Sequence, residues 1–425
     1  MAGISIFYSI IMLKWLSFKE EYIIMKILKF YKQIGKGYFN MDTMSLTAKY
    51  EDEMIAIRRH IHRHPELSNK EYKTTEFIRE KLTEYGVEIA EIGMKTGVVA
   101  VIRGGKPGKT VAIREDIDAL PIEEKTDLPY ASEYPGCMHA CGHDFHTTVA
   151  LKVASLLNQR KENLAGKIYF VFQPAEEVAS GAEYVRKNGN LPEYSEVFGF
   201  HVEPSLRPGQ VSIQPGSVMA AVDGFRIDIR GKGTHGATPQ LGVNPITTAV
   251  SVVEKLGRVV PECLSPLHAG VVSVTHLEGG ATWNVIPETA FLEGTVRTMD
   301  GKDRSRIKAE IYRIAECMNQ DGRVQTKVSW HEGPPAVIND EELCESAKDL
   351  AQKHGLQNVI LDPAMTGDDF SKFVSEGSNV KGLYIKVGTG PSENLHSDRF
   401  RVAVSALEQT AEFLAELLEK QTIRS

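Results

Sequence analysis

Apolar residues recur at helical spacing in two early segments of the chain, Glu51–Arg63 and Glu71–Tyr85. In the first segment the apolar positions fall on one face, and Pro65 follows the last turn. The second segment ends at Gly86, and glycine commonly terminates helices. The pattern therefore predicts two amphipathic helices before the first strands.

Short runs of β-branched residues follow, and runs of this kind bounded by Gly, Pro or Lys are typical of buried strands. A segment with helical spacing lies between them. The strands are predicted at Gly97–Ile102, Thr110–Ile113, Lys167–Phe172 and Glu196–His201, and the helix at His143–Leu157. Because strands and helices alternate, this part of the chain is predicted to form a layered α/β domain.

The pattern changes after Pro215, where Asp223–Arg230 alternates apolar and polar residues as a half-solvated strand does. The order of elements here is strand, helix, strand, strand, helix, strand. The later elements are predicted at Pro245–Val259, Gly270–Leu277, Phe291–Val296, Asp303–Met318 and Gln325–Trp330. This order is that of a ferredoxin-like α+β domain.

The α/β pattern returns after Asn339, with helices at Glu341–His354 and Ala403–Glu419 and a strand at Gly382–Val387. We therefore predict an α/β protein with a ferredoxin-like domain inserted into the outer domain. The predicted segments are an N-terminal extension at 1–44, the first part of the outer domain at 45–218, the insertion at 219–331, and the second part at 332–425.

The first 44 residues differ in composition from the rest of the chain. Their apolar run, Ile4–Leu13, is too short to span a bilayer. It has no basic residues before it and no small-residue cleavage site after it, so a signal peptide is disfavoured. We interpret this segment as a peripheral extension, with a membrane-surface helix as the alternative. Translation could start at Met25, Met41 or Met44.

Composition and charge restrict the classes of partner. The 425 residues carry a net charge of −7 and show no basic stripe, so we expect no nucleic-acid partner. Five scattered cysteines argue against a disulfide framework and favour a reducing compartment. We therefore predict a cytoplasmic protein without stable membrane insertion.

Residues 138–146, MHACGHDFH, contain one thiol, three imidazoles and a carboxylate. A hydrophobic core gains little from this mixture, because each group must be desolvated and hydrogen-bonded. Transition metals bind this set of groups, with Cys141 and His143 as neighbouring candidates. Their position at the start of a predicted helix should lower the pKa of the thiol. The alternative is a solvated histidine-rich turn.

Further candidate ligands follow the ends of predicted strands. Ligands of open α/β sheets gather at the carboxyl ends of the strands, so we expect these groups to converge. The candidates are Asp116, Glu176, Glu177, His201 and His396. Asp116 and Asp118 are two residues apart and should point to the same side, where either could support the ligands. Each candidate alone also has a structural interpretation, as a capping histidine or a solvated carboxylate.

The motifs taken together resemble the M20 metallopeptidase family. The match is to its amidohydrolase branch of hippurate hydrolases, N-acyl-amino-acid deacylases and plant auxin-conjugate hydrolases. The most specific segments are HACGHDFH at 139–146 and QPAEE at 173–177, with REDIDALPI at 114–122 and GKGTHGATP at 231–239 in the same order. The resemblance covers about residues 48–420. It implies a hydrolase domain with a central mixed sheet flanked by helices, plus an inserted lid and dimerisation domain.

The resemblance also implies a site for two divalent metal ions per subunit, with Zn, Mn, Co and Ni as candidates. The implied metal ligands are Cys141, His143, Glu177, His201 and His396. Glu176 would be the general base, and Asp116 would lie behind the site. Two positions depart from the family, because Glu115 stands where Ala is usual and Asp368 where Glu is commoner.

Three further roles come from the resemblance. His235 would stabilise the oxyanion by reaching across from the partner subunit, while Asn284 and Arg297 would hold the carboxylate of the substrate. A homodimer or a higher homo-oligomer is therefore expected. Without the resemblance, His235 reads as a residue of a glycine-rich turn.

The implied activity is hydrolysis of the amide bond of N-acyl amino acids, such as N-acetyl or N-benzoyl compounds, to a carboxylic acid and a free amino acid. Two alternatives stay open, a dipeptidase or aminopeptidase of the same family and a non-catalytic metal-binding relative. The intact Glu176 weighs against the second, and the motif around Cys141 weighs against the first.

Overall fold

The structure is a computed structural model that describes residues 41–90, 92–320, 322–374 and 379–423. The helices of this part of the chain are α1 (Met41–Arg63), α2 (Tyr72–Glu84), α3 (His143–Gln159), α4 (Gly181–Asn188), α5 (Pro245–Leu256), α6 (Val259–Cys263), α7 (Gly301–Asn319), α8 (Glu341–Lys353) and α9 (Leu407–Ile423). Short 3₁₀ helices lie at Lys161–Asn163, Pro239–Leu241, Asp369–Phe373 and Val404–Ala406.

The strands of the same residues form a large sheet, a smaller sheet and two short ribbons. They are β1 (Glu88–Ile89), β2 (Val98–Arg103), β3 (Lys106–Asp116), β4 (Ala165–Gln173), β5 (Glu196–Glu203), β6 (Gln210–Ser212), β7 (Gly216–Met219), β8 (Ala221–Arg230), β9 (Thr234–His235), β10 (Gly270–Gly279), β11 (Val285–Ile286), β12 (Thr289–Thr298), β13 (Gln325–Glu332), β14 (Val337–Asn339), β15 (Gln357–Asn358) and β16 (Lys381–Gly388).

The large sheet is mixed, with the strand order β1-β2-β4-β3-β5-β16-β6-β15. Its centre, β4-β3-β5-β16, is parallel, whereas β2 and β6 run antiparallel to their neighbours in that centre. The central strands are buried on both faces, as parallel strands with covered faces usually are. In β16, for example, Leu383 and Ile385 pack into the main core cluster and Tyr384 packs on the opposite face. The predicted mixed sheet flanked by helices is confirmed.

The smaller sheet is antiparallel, with the order β10-β12-β8-β13, and has its own hydrophobic cluster. In β8 the buried residues Phe225, Ile227 and Ile229 alternate with partly exposed ones, as the sequence pattern predicts. Helices α5, α6 and α7 pack against this sheet. Residues 54–425 form one compact unit, so the domain boundaries at 218 and 331 stay a prediction.

Several elements differ in extent from the sequence predictions. β5 runs to Glu203, because it continues to pair with β16, so His201 lies within a strand instead of closing it. The helix expected at Pro245–Val259 divides at Gly257 into α5 and α6. The last helix begins at Leu407 after a 3₁₀ turn, not at Ala403.

The predicted N-terminal extension falls mostly outside the described residues, and only its last four residues appear, as the start of α1. No helix among the residues that the structure describes is both long and apolar enough to cross a membrane.

Candidate metal centre

The topology of the large sheet brings the candidate ligands together. Because β4, β3, β5 and β16 are parallel neighbours, their carboxyl ends meet at one edge. Asp116 is the last residue of β3, and Glu176 and Glu177 follow the end of β4. His201 lies near the end of β5. The convergence expected from the sequence is therefore present.

The turn before α3 places Cys141 and His143 on this edge. Gly142 between them has φ of 86°, in the left-handed region that favours glycine. A Cβ atom at this position would lie 2.5 Å from Cγ2 of Val202. Glycine thus allows the turn to approach β5 closely, and Sγ of Cys141 lies 3.4 Å from Nε2 of His201.

Hydrogen bonds to backbone carbonyls orient the two histidines. Nδ1 of His201 lies 2.7 Å from the carbonyl oxygen of Val202, and Nδ1 of His143 lies 2.9 Å from that of Asp118. When each Nδ1–H donates to its carbonyl, each Nε2 is left with its lone pair directed into the site. This arrangement is common for histidines that bind metals.

Glu177 and His396 complete the group. Oε2 of Glu177 lies 3.4 Å from Nε2 of His396, and its Oε1 lies 3.8 Å from Nε2 of His143. The backbone N–H of Glu177 donates to Oδ2 of Asp118 at 3.1 Å, so Asp118 orients both Glu177 and His143. His396 is half-buried, and its φ of 66° turns the backbone at this position.

Nε2 of His143 and Oε1 of Glu177 are buried and have no hydrogen-bond partner among the described residues. Buried polar groups without partners are rare and costly. The potential ligand atoms of Cys141, His143 and His201 lie within 4.8 Å of one another, as do those of Cys141, Glu177 and His396. A thiolate, imidazoles and a carboxylate suit divalent transition metals, so these residues could hold metal ions.

The pKa of Cys141 differs from the sequence prediction. Burial and the charge of Glu177 raise it well above the usual range, although His143 acts in the opposite direction. The expected lowering by the helix terminus is therefore wrong for the protein groups alone, because desolvation outweighs it. A thiolate at this position needs a cation beside it, which a metal ion would provide.

Of the three histidines in residues 138–146, only His143 joins the candidate ligands. His146 is satisfied on both nitrogens, since Nδ1 bonds Oδ1 of Asp116 at 2.6 Å and Nε2 accepts from the N–H of Val202 at 3.0 Å. His139 is buried and has no hydrogen-bond partner among the described residues, and burial lowers its pKa to about 4. Oδ1 of Asp116 lies 3.5 Å from Nε2 of His143, the ring nitrogen that is directed into the site.

Glu176 faces the candidate ligands and a pair of aspartates. Its side chain makes no hydrogen bond with any described residue, and its carboxylate lies within 4.8 Å of those of Asp368 and Asp369. Burial, together with the charges of these aspartates, raises the pKa of Glu176 well above its usual range. A carboxylate in such surroundings accepts a proton readily.

The guanidinium of Arg114, to which sequence reasoning assigned no role, is buried among these carboxylates. Arg114 donates to Asp116 at 3.1 Å and to Asp369 at 2.6 Å, and it also lies 3.1 Å from Asp368. Its Nε donates to Oε1 of Gln173 at 2.7 Å. Arg114 and the aspartates lie within segments 114–122 and 367–370, but periodicity alone does not indicate that these segments meet.

A cavity of about 390 Å³ opens onto the group. Its lining includes Cys141, Glu176, Glu177, His201, Arg297, Lys386 and His396. Two larger cavities, of about 570 and 830 Å³, have none of these residues in their lining. The chemistry of the lining, and not the volume, therefore marks the 390 Å³ cavity as the candidate site.

His235 and Asn284 lie together but outside this cavity. His235 is exposed in β9, which pairs with β11, and the N–H of Gly236 donates to the carbonyl oxygen of Asn284 at 2.8 Å. Neither residue lines the cavity, whereas Arg297 does. The structure of one chain thus brings together the five candidate ligands, Glu176, Asp116 and Arg297. The other two predicted residues, His235 and Asn284, lie elsewhere in that chain.

Glu115, the departure from the family pattern, is buried and does not line the cavity. Its Oε1 accepts a hydrogen bond of 3.3 Å from the N–H of Phe200. Burial and the neighbouring Asp116 raise its pKa well above the usual range.

Comparison with known proteins supports the resemblance. Residues 112–420 match the pattern of Peptidase family M20/M25/M40. The N-acetyl-L-cysteine deacetylase of Bacillus subtilis is 41% identical over 366 residues, covering 86% of this chain and 87% of that protein. The N-acetyldiaminopimelate deacetylase of Listeria innocua is 33% identical over 378 residues, covering 87% and 100%.

A solved structure also matches, that of a Bacillus subtilis protein described as a dinuclear metal-binding peptidase of the M20 family. It is 38% identical, has a TM-score of 0.79, and the match covers 88% of this chain and 99% of that chain. The fold, the order of the motifs and these relatives agree. The chain belongs to Peptidase family M20/M25/M40.

Proposed function

We propose that the protein is a metal-dependent amidohydrolase that cleaves N-acyl amino acids to a carboxylic acid and a free amino acid. One observation carries this proposal: four potential metal ligands, Cys141, Glu177, His201 and His396, line one cavity together with Glu176, whose carboxylate has no hydrogen bond with any described residue. The fifth potential ligand, His143, lies within reach of Cys141 and His201. A purely structural metal site has no use for the additional carboxylate. The names of the deacetylase relatives support the same class of substrate.

Cys141, His143, Glu177, His201 and His396 would hold two divalent metal ions. The solved relative is described as dinuclear, and the unpartnered atoms of His143 and Glu177 fit this use. Such ions, when bound, polarise an acyl carbonyl and acidify a water molecule. A thiolate ligand suits zinc, while manganese, cobalt and nickel are alternatives.

Glu176 would be the general base and then the general acid. Its carboxylate would take a proton from the attacking water and pass it to the nitrogen of the leaving amine. The raised pKa of Glu176 favours holding that proton between the two steps. Asp116, fixed by Arg114 and His146, would help to hold His143 in position through its contact with Nε2.

Arg297 and Asn284 would bind the carboxylate of the substrate, and His235 would donate a hydrogen bond to the oxyanion. Since His235 and Asn284 lie outside the cavity of their own chain, we propose that they serve the cavity of a partner subunit.

Exposed apolar residues surround Asn284, since Trp283, 95% exposed, and Val285, 49% exposed, flank it. Strand β10 also leaves an open edge on the smaller sheet. A second copy would cover such apolar and unpaired groups, which supports a homodimer.

A screen of substrates tests the activity. The metal-supplemented protein is incubated with N-acetyl and N-benzoyl amino acids and with dipeptides, and ninhydrin detects the freed amine. We expect amine release from N-acyl amino acids and little from dipeptides. The reverse preference would favour a peptidase, and release from neither would contradict the proposal.

Substitution of Cys141 by serine should weaken zinc binding and shift metal preference toward manganese, because a hydroxyl is a poor ligand for a thiophilic metal. Competition with a chelator measures the affinity. Cys137→Ser is the matched control, since the Cys137 thiol is buried nearby but contacts the carbonyl oxygen of Pro65. An unchanged zinc affinity in Cys141→Ser would show that this thiol does not bind metal.

Mixing two inactive variants tests the role of His235. His235→Ala and Glu176→Gln should each be nearly inactive, but mixed dimers would contain one site with both residues intact. Random exchange of subunits should restore about a quarter of the wild-type turnover. His331→Ala, at another exposed histidine of the smaller sheet, should be active alone. No recovery, with exchange confirmed by mass-labelled subunits, would mean that His235 does not act in trans.

We further propose a cytoplasmic location. The five cysteines are all free of disulfides, and Cys137, Cys141 and Cys344 are buried, which suits a reducing compartment.

A further inference from the structure

Lys386 is a partly buried lysine in a central strand, and both of its neighbours along the strand are fully buried. It lies in β16, where Leu383, Ile385 and Val387 face the main core. Side chains alternate along a strand, so Lys386 lies on the opposite face with Tyr384. It pairs in parallel register with His201 of β5, which places the two side chains side by side on the face that carries the candidate metal centre.

The amino group of Lys386 has no polar partner in the part of the chain that the structure describes. Among the described residues its Nζ makes no hydrogen bond or ion pair, and its contact is the ring of Tyr384, 5.2 Å from the ring centroid. Lys381 on the same strand instead pairs with Glu342 and Asp340. A partly buried amine without a partner is unfavourable unless it meets one in a ligand. Burial lowers its pKa, while Asp368 and Glu203 oppose this effect.

Lys386 lines the same 390 Å³ cavity as Glu176 and Arg297. Arg297 belongs to the smaller sheet and Lys386 to the large sheet, so the cavity carries two basic residues on different walls. A simple N-acyl amino acid, such as an N-acetyl compound with a neutral side chain, has one carboxylate. Arg297 would bind that group, which leaves Lys386 without a counterpart.

We propose that Lys386 is a specificity-determining residue that selects N-acyl amino acids with a second carboxylate. The proposal rests on the proposed function, because it concerns the substrate of the same cavity. The second carboxylate would be carried either by the acyl group or by the side chain of the amino acid. In both cases it would accept hydrogen bonds from the Lys386 ammonium and favour its protonated form.

Matched acid and amide pairs test this inference and separate the two sources. N-succinyl-L-alanine and N-succinamoyl-L-alanine differ in charge at the acyl end, and N-acetyl-L-glutamate and N-acetyl-L-glutamine differ at the side chain. For one of the two pairs, we expect the metal-loaded protein to hydrolyse the acid with a kcat/KM about tenfold or more above that of the amide. The difference should come mainly from a lower KM for the acid. Lys386→Met should abolish that preference and change the amide by less than about threefold. Lys381→Met, the matched control, should retain it.

Binding separates failure of the inference from failure of the proposed function. The same four compounds are titrated calorimetrically into metal-loaded Glu176→Gln, with and without Lys386→Met, so turnover is not needed. Tighter binding of an acid than of its amide, lost in Lys386→Met, would support the inference even if no compound is hydrolysed. The lack of hydrolysis would then refute only the proposed function. Equal affinity for acids and amides, or a preference that survives Lys386→Met, would overturn the inference.

Discussion

Replacing Glu176 with glutamine should lower the rate of amide hydrolysis by at least about a thousandfold while the metal content stays at the wild-type level. Glutamine keeps the shape of the side chain but cannot take a proton from water. The structure separates this residue from the candidate ligands, since Glu177, and not Glu176, contacts both His143 and His396. Turnover and metal content by mass spectrometry are measured on the same sample.

Glu177→Gln is the matched control for this experiment. It removes a carboxylate at the adjacent position, and we expect it to lose metal and activity together. If Glu176→Gln lost metal to the same degree as Glu177→Gln, the assignment of base and ligand would have to be exchanged.

Replacing Arg114 with methionine should destabilise the folded protein by about 3–5 kcal/mol, because it leaves buried carboxylates without their cation. Arg114 is fully buried and contacts Asp116, Asp368 and Asp369. Burial and the charge of Asp368 raise the pKa of Asp369 to about 6 even though Arg114 opposes them. Without the guanidinium this pKa should rise further. Urea denaturation at fixed metal concentration measures the free energy of unfolding.

The loss of unfolding free energy in Arg114→Met should depend on pH. A carboxyl group whose pKa is higher in the folded than in the unfolded state stabilises the fold at low pH, and the contribution is lost as pH rises through the folded pKa. Arg114→Met should therefore be less destabilised at pH 5 than at pH 8. Arg103→Met removes an exposed ion pair with Glu88 and should cost about 0–1 kcal/mol at either pH. An equally small effect of Arg114→Met would contradict the structural role of Arg114.

Most of the fold could be predicted because the spacing of apolar residues along the sequence indicates which faces of the helices and strands are buried. Alternation in β8 and continuous apolar runs in β4 and β5 identify half-exposed and fully buried strands. Element ends were less predictable because they depend on pairing partners distant in sequence. β5 continues past His201 because Val202 and Glu203 pair with β16, whose position in the sheet the local sequence does not indicate.

Parts of the candidate site could be proposed from the sequence where ligand-type residues cluster in one segment, as Cys141 and His143 do, or follow the end of a predicted strand, as Glu177 does. Other features depend on distant contacts. Arg114 meets Asp369 across 255 positions of the chain. The pKa of Cys141 could not be predicted from its position before a helix, because its burial and the nearby Glu177 arise only in the folded protein.

A titration of the chelator-treated protein with a divalent metal tests whether hydrolysis of N-acyl amino acids depends on two bound metal ions. Bound metal and release of amine from an N-acyl amino acid are followed together as metal is added. We expect no hydrolysis by the metal-free protein, and activity should appear as about two metal ions bind per chain. Full hydrolysis by the metal-free protein, or two bound ions without hydrolysis of any N-acyl amino acid, would contradict this expectation.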